Sequence, residues 1–196
     1  MVDISKVADV SDLKQKIRSE VLARRDALSV EIRTKFSQEI AEHFKDCHVE
    51  PDGNVSAFLP IRSEVDLKPV ISRLWTRKNR VCLPYILSKT EIEFREFMAG
   101  TKLVGNGFGT LAPDDASSVL LPDVMLVPLS VFDQNGGRIG YGGGFYDRAI
   151  EKLKGLGKAQ TLIGVAFSTQ EVDEVPTDDH DVPLDFILTE RGLREF

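Results

Sequence analysis

The sequence predicts an α/β fold. We read it as a single domain over 1–196, with a mostly parallel central sheet and helices on both faces. Three observations carry this reading. "DVMLVPL" (123–129) and "TLIGVAF" (161–167) are nearly continuous apolar runs, as expected of strands covered on both sides. Helix-period segments alternate with these strand-like runs. No repeat, low-complexity tract or long linker divides the chain.

Taken in order, "SDLKQKIRSEVLARRDAL" (11–28) reads as a helix with Ser11 as its N-cap and Leu13, Ile17, Val21 and Leu28 as its apolar stripe. Ser29 caps a second helix, with Ile32, Phe36 and Ile40 at four-residue spacing. "NVSAFLP" (54–60) is a short strand. Pro69 suits a first helical turn, so the helix carrying Val70, Ile71 and Leu74 is placed from about Asp66. Trp75, at helical spacing from Ile71, reads as packing. "RVCLPYI" (80–86) and the alternating "EIEFREF" (91–97) are strands, and "LDFILT" (184–189) is the last one.

A net charge of −6 argues against a general nucleic-acid binder, which needs a basic face, but leaves room for a local basic pocket. No apolar run reaches membrane-span length, and the first residues lack a signal core. A cytoplasmic protein without membrane or nucleic-acid partners is the expectation, with Cys47 and Cys82 as buried, reduced thiols.

The most informative stretch is "RIGYGGGFYDRAI" (138–150), between the buried strand at 123–129 and a helix expected to begin near Phe145. Asn135-Gly136 signals a turn just before it. Glycines admit positive φ and close ligand approach, and successive amides can form an anion-binding nest. The helix N-terminus adds favourable partial charge, and Arg138 adds a planar donor fork. The spacing fits neither G-x-x-x-x-G-K-[ST] nor G-x-G-x-x-G. A phosphate cradle and a crowded turn both remain open on these residues alone. Asp147 is either a helix-dipole partner or a Mg²⁺ ligand beside a polyphosphate. A positive φ at Gly143 is part of the cradle reading.

Lys14, Arg18 and Arg25 share one helical face, either a solvated surface or a positive rim turned to the loop. "TDDHDVPLD" (177–185) is an acidic turn or the source of a metal ligand, and His180 reads as structural or exposed. Glu64 follows a strand end, where α/β sites often form.

The stretch "VPLSVFDQNGGRIGYGGGFYDR" (127–148) resembles the signature of the 5-formyltetrahydrofolate cyclo-ligase family, also called 5,10-methenyltetrahydrofolate synthetases. The resemblance spans nearly the whole chain: "LKQKIR", "FLPIRSEVDLKPVI", "GFGTLAPD" and "VPTDDHDVPLDFILTE" match family segments in the same order. It implies a ligase that uses ATP and Mg²⁺ to turn 5-formyltetrahydrofolate into 5,10-methenyltetrahydrofolate, ADP and phosphate, through a phosphorylated formyl oxygen. It also implies a sheet like that of sugar-phosphate isomerases, deaminases and CoA transferases, and action as a monomer.

Carried over position by position, the resemblance makes Lys14 and Arg138 catalytic. It gives ATP contacts to Lys14, Arg18, Arg138, Ile139, Gly140, Tyr141, Gly142, Gly143, Gly144, Phe145 and Tyr146. Folate contacts fall on Leu59, Glu64 and the segment from Gly142 to Tyr146, and magnesium positions on Asp147 and Asp181. Asp178, Asp179 and Asp185 are near enough in sequence to exchange with Asp181. Some members carry a basic residue where this chain has Tyr141 or Gly143, which leaves Arg138 and the first helix to supply the positive charge. A sugar-phosphate isomerase or deaminase would lack coupled ATP hydrolysis, and a folate-storage protein would bind without turnover.

Overall fold

The computed structural model describes residues 4–158, 160–178 and 180–196, with side chains from residue 10 onward. Asp179 lies outside the described residues. The helices are α1 (Ile4–Asp26), α2 (Val30–His43), α3 (Lys68–Thr76) and α4 (Phe145–Gly155). The strands are β1 (Asn54–Ser56), β2 (Arg80–Ile86), β3 (Ile92–Glu96), β4 (Leu103–Gly105), β5 (Leu111–Pro113), β6 (Val124–Pro128), β7 (Val131–Phe132), β8 (Arg138–Ile139), β9 (Thr161–Val165), β10 (Phe186–Thr189) and β11 (Gly192–Glu195).

Seven strands form the main sheet in the order β11-β10-β9-β6-β1-β2-β3. The five inner strands pair in parallel, and β3 and β11 add antiparallel edges. Two small hairpins, β4-β5 and β7-β8, stand apart from it.

The apolar runs explain why the sheet is covered twice. Successive strand residues point to opposite faces. Val124 and Leu126 join Val55, Val81, Ile163, Val165 and Leu188 beneath α2 and α3. Met125 and Val127 join Cys82, Leu162 and Ile187 beneath α4, whose Ala149, Ile150 and Leu153 face them. A third cluster, Val21 with Val131, Ile139 and Val175, fastens α1 to the β7-β8 hairpin. Both cysteines are free and buried; burial pushes the Cys47 thiol up to about 12 and moves Cys82 the same way.

Ser29 caps α2 as expected, its side chain accepting from the Ile32 amide. The α3 helix begins at Lys68, two residues after Asp66, whose carboxylate accepts from the Lys68 amide at 3.0 Å. Trp75 packs tilted against Phe97 and donates to its carbonyl at 2.9 Å. Two expectations fail. Ser11 is interior to α1, which starts at Ile4 rather than at a cap near 11. The proposed stripe is not buried along its length either: Leu13 is 46% exposed, Val21 is buried, and Leu28 lies beyond the helix end. Among the described side chains the helix packs on the body through Ile17 and Val21, one face of little more than a turn, which is too short to show as a stripe.

Gly164 tests how tightly the layers close. A Cβ there would lie 2.5 Å from Leu184 Cδ1 and 2.8 Å from Leu129 Cδ2. Overpacking of this kind costs about 1–3 kcal/mol. Gly164→Ala should lower the urea midpoint accordingly with an unchanged slope; an unmoved midpoint would show that these leucines yield freely.

Candidate functional site

The parallel strands reverse their order of addition between β1 and β6: β2 lies outside β1, whereas β9 and β10 follow on the side of β6. In open α/β sheets the crevice beyond the carboxyl ends at such a switch point is where ligands bind. The segment after β1 carries Leu59 and Glu64. The segment after β6 carries the β7-β8 hairpin and the glycine loop.

Asp133 shapes the hairpin turn. Its buried carboxylate accepts from three backbone amides, Asn135 and Gly137 through Oδ1 (2.8 and 2.9 Å) and Val175 through Oδ2 (2.8 Å). A Cβ on Gly137 would sit 2.7 Å from Asp133 Oδ2, so the turn requires glycine there. The turn delivers Arg138 and the loop into a cleft of about 280 Å³, lined by Lys14 and Arg18 of α1, Arg138, Gly140, Gly142 and Gly144, with Asp147 and Asp181 opposite.

Each cation in the cleft has a partner. Arg138 is buried and donates from Nη2 to Asp147 Oδ1 at 2.6 Å. The same oxygen accepts from the Val182 amide at 3.3 Å, which ties α4 to the acidic segment. Lys14 Nζ lies 2.8 Å from Asp178 Oδ2 and 2.5 Å from Asp181 Oδ2. Burial works against the charge on Lys14, but its bonds to the two carboxylates prevail and its pKa lies above the ordinary value. The Lys14 ammonium in turn holds Asp178 below the usual carboxylate range. Arg18 donates from Nε to the Gly140 carbonyl at 2.8 Å, and its guanidinium lies against Gly142. Gly144 precedes α4 in the left-handed region (φ +60°), and Gly142 is left-handed too (φ +94°). Gly143 is not, contrary to the sequence reading; it is constrained instead by the Phe145 ring, whose Cδ2 would be 2.8 Å from an added Cβ. The N-terminus of α4 borders a site flanked by three cations, an arrangement suited to a polyanion.

The structure thus gathers Lys14, Arg18, Arg138, Ile139, Gly140, Gly142, Gly144, Asp147 and Asp181 around one cleft. Other expected residues lie beside it. Half-buried Leu59 packs against the core beneath α2 and α3. Glu64 accepts from the Ile61 amide at 2.8 Å, lines a neighbouring recess with Arg25, and has the Tyr141 hydroxyl beside it. Burial pushes the Glu64 carboxyl above its usual range, against the Ile61 amide, Tyr141 and two arginines. Tyr146 buries its hydroxyl without a partner among the described residues, and burial raises its pKa. His180 is exposed.

Three features escaped the sequence reading. Arg25 does not share the cleft with Lys14 and Arg18, nor is it solvated: it is 1% exposed. The buried role of Asp133 was hidden behind the Asn-Gly turn signal. Phe108, 76% exposed at the β4-β5 tip, sets its ring edge-on to Phe145 at 6.0 Å. An aromatic among glycines in "GNGFGT" was the only signal for it.

Comparisons with known proteins place nearly the whole chain beside one family. The model of the 5-formyltetrahydrofolate cyclo-ligase family matches residues 10–190. A 5-formyltetrahydrofolate cyclo-ligase of Escherichia coli K12 is 32% identical over 180 residues, covering 88% of this chain and 98% of the relative. One of Haemophilus influenzae is 30% identical over 182 residues, covering 89% and 96%. Among solved structures, a 5,10-methenyltetrahydrofolate synthetase of Aquifex aeolicus superposes with a TM-score of 0.80 at 29% identity, covering 93% of this chain and 92% of that one. That of Mycoplasma pneumoniae gives 0.73 at 26%, covering 90% and 98%.

The Arg138–Asp147 pair makes its own prediction. Removing one partner of a buried pair strands the other charge, at a cost of about 3 kcal/mol or more. Asp147→Ala should therefore destabilise the fold strongly, and Arg138→Met in the same chain should restore most of the loss. Denaturant titrations of the three variants check this; an Asp147→Ala midpoint equal to wild type would show that Arg138 needs no counter-charge.

Proposed function

Because the chain belongs to the 5-formyltetrahydrofolate cyclo-ligase family, we propose that it converts 5-formyltetrahydrofolate to 5,10-methenyltetrahydrofolate with hydrolysis of ATP to ADP and phosphate, supported by Mg²⁺. One observation carries the reading: three cations, a glycine loop and a helix N-terminus converge on a cleft that also holds two aspartates.

The formyl oxygen of an N-formyl group is a poor leaving group. In the proposed reaction it attacks the γ-phosphorus of ATP, the bond from that phosphorus to the bridging oxygen breaks, and ADP departs. N10 of the folate then attacks the activated carbon and gives up its proton. Phosphate leaves with the former formyl oxygen, and the methenyl bridge remains. The protein's task is orientation and neutralisation of charge. Lys14, Arg18 and Arg138 would bind the phosphates, joined by the loop amides and the first turn of α4. Lys14 and Arg138 would stay with the transferred group.

The donor set suits Mg²⁺, which often takes one or two carboxylates and completes its shell with phosphates and water. Asp147 commits Oδ1 and Asp181 commits Oδ2 to bonds among the described residues, which leaves one oxygen of each for a cation. Bound there, the ion would neutralise the β- and γ-phosphate oxygens. Phosphates arriving at Lys14 and Arg138 would replace the aspartates as partners of those cations, freeing the carboxylates for this role. On the folate side, Glu64 would accept from the pterin's N–H donors, with Leu59 and the segment from Gly142 to Tyr146 beside the ring.

The direct test mixes protein, 5-formyltetrahydrofolate, ATP and Mg²⁺ and follows the near-ultraviolet absorbance of the methenyl product. Product without ATP, or none with it, would refute the reading. Arg18→Ala should weaken ATP binding roughly tenfold to a hundredfold, the loss of one charge-assisted hydrogen bond. Asp181→Asn should raise the Mg²⁺ concentration at half-maximal rate without altering folate affinity; an unmoved midpoint would return Asp181 to a partner of Lys14 only.

Glu64 gives a pH signature. Its raised pKa means that it takes up a proton at higher pH than an ordinary glutamate. Only the ionised form accepts both donors, so folate affinity should fall as pH drops through that raised pKa and be full above it. Glu64→Gln should bind weakly and lose this acidic limb. Calorimetry across pH decides, and an identical limb in the variant would assign the titration elsewhere.

A further inference from the structure

Arg25 is the least accounted-for charge in the molecule. It is 1% exposed, and its Nε donates to Ser63 Oγ at 2.9 Å. That hydroxyl in turn donates to Asp26. Both terminal nitrogens, Nη1 and Nη2, are buried and make no well-formed hydrogen bond among the described residues, although the Tyr141 hydroxyl stands beside the guanidinium. Four donors withdrawn from water without well-formed partners are a heavy penalty. A methionine would fill the same volume without it. The penalty makes physical sense if a ligand supplies the missing acceptor.

The surroundings say what that acceptor is. Arg25 lines a recess with Phe58, Glu64, Leu129 and Gln170. Its guanidinium lies 5.9 Å from the Tyr141 ring centroid, and the Tyr141 hydroxyl stands beside both Arg25 and Glu64. A carboxylate and a guanidinium fork side by side complement an edge that offers donors next to an acceptor. A phenol hydroxyl is the smallest such edge, one donor and one acceptor on a single oxygen. A 2-amino-4-oxo-pyrimidine ring is a larger one, with an amino group and a ring N–H followed by a carbonyl oxygen. The recess leaves no room even for a water molecule in this structure, so the ring enters only if a neighbouring side chain withdraws, and Tyr141 is the one that stands beside both charges. Tyr141 is flanked by Gly140 and by Gly142 at φ +94°, which give its backbone room to turn.

We propose that Arg25 is a specificity residue for the folate: its terminal nitrogens donate to the 4-oxo oxygen of the pterin while Glu64 accepts from the 2-amino and N3 hydrogens. Tyr141 holds their place until the ring enters. The assignment rests on the folate reading given above and adds a residue and a contact to it.

The experiment is calorimetry of wild type and Arg25→Met with two ligands: 5-formyltetrahydrofolate and its 4-amino-4-deoxy analogue, which carries a donor in place of the 4-oxo acceptor. Glu64 is common to both proteins, so the change in the ratio of the two affinities isolates Arg25. The variant should shift that ratio toward the amino ligand by roughly tenfold to a hundredfold, the worth of one charge-assisted hydrogen bond. Its ATP affinity measured without folate should stay at the wild-type value. Should Arg25→Met fail to fold, Arg25→Lys keeps the charge, loses the planar fork, and should shift the ratio in the same direction. A folded variant whose ratio stays within twofold of wild type overturns the proposal. Failure of wild type to bind 5-formyltetrahydrofolate at all removes the folate reading, and this assignment with it.

Discussion

The Asp133 carboxylate is the constraint on which the site's geometry depends. Three backbone amides from two distant segments converge on one buried side chain. Asn135 and Gly137 belong to the turn that launches Arg138, and Val175 opens the segment that ends in Asp181. Bonds to an ionised acceptor are stronger than neutral ones, and here they fix the distance between the glycine loop and the acidic corner. Gly136 completes the junction. It adopts φ +81°, its carbonyl accepts from the Leu184 amide, and a Cβ on it would come within 2.8 Å of the Leu184 carbonyl oxygen. Both glycines of "NGG" are therefore dictated by close approach, one to a side chain and one to backbone.

With that junction set, the cleft's electrostatics follow. Lys14, Arg18 and Arg138 would repel one another in a partly buried space if left bare. Asp178 and Asp181 hold the first, a loop carbonyl holds the second, and Asp147 holds the third. The protein's net charge of −6 hides this local balance. A polyanion accompanied by a divalent cation can enter such a cleft with little net change in charge, because the ligand's anionic groups take the cations and its metal takes the aspartates. Either component alone would leave one set of charges uncompensated. The pairing of these cations with carboxylates suits the metal–polyphosphate ligand proposed above.

Long apolar runs were legible in the sequence because burial on both faces leaves no other pattern. The strands at 124–128 and 161–165 lie where "DVMLVPL" and "TLIGVAF" place them. Ser29 was legible because a cap is a local interaction. The glycine loop was legible as an irregular segment before a helix, because four glycines in seven residues suit neither strand nor helix. The two-residue strands of the β7-β8 hairpin were not, because two residues carry no period. The fate of Arg25 was not either. Helical spacing predicts it on the face of Lys14 and Arg18, but the segment after β1 folds over that end of α1 and brings Ser63 to its guanidinium. Which half of a helix face is roofed is a property of the topology, not of the spacing. Gly143 shows the converse: glycine was predicted for its backbone freedom and is required by a neighbouring ring.

The stretch from Arg138 to Asp147 borders two recesses at once, and its residues divide between them. Gly140 and Gly142 rest on Arg18, and Arg138 and Asp147 pair directly at the edge of the larger cleft. Tyr141, between those glycines, turns the other way to Arg25 and Glu64. Phe145 meets Phe108 from the β4-β5 hairpin. A displacement of Tyr141 must therefore act on the Gly140 carbonyl that holds Arg18. On the proposed reading the nucleotide and the folate would border one backbone segment, so filling one recess would alter the contacts that shape the other. A loop rich in glycine is suited to this coupling, because it can rearrange about its own φ angles while its ends stay pinned, at Asp133 through the turn and at α4 through Asp147.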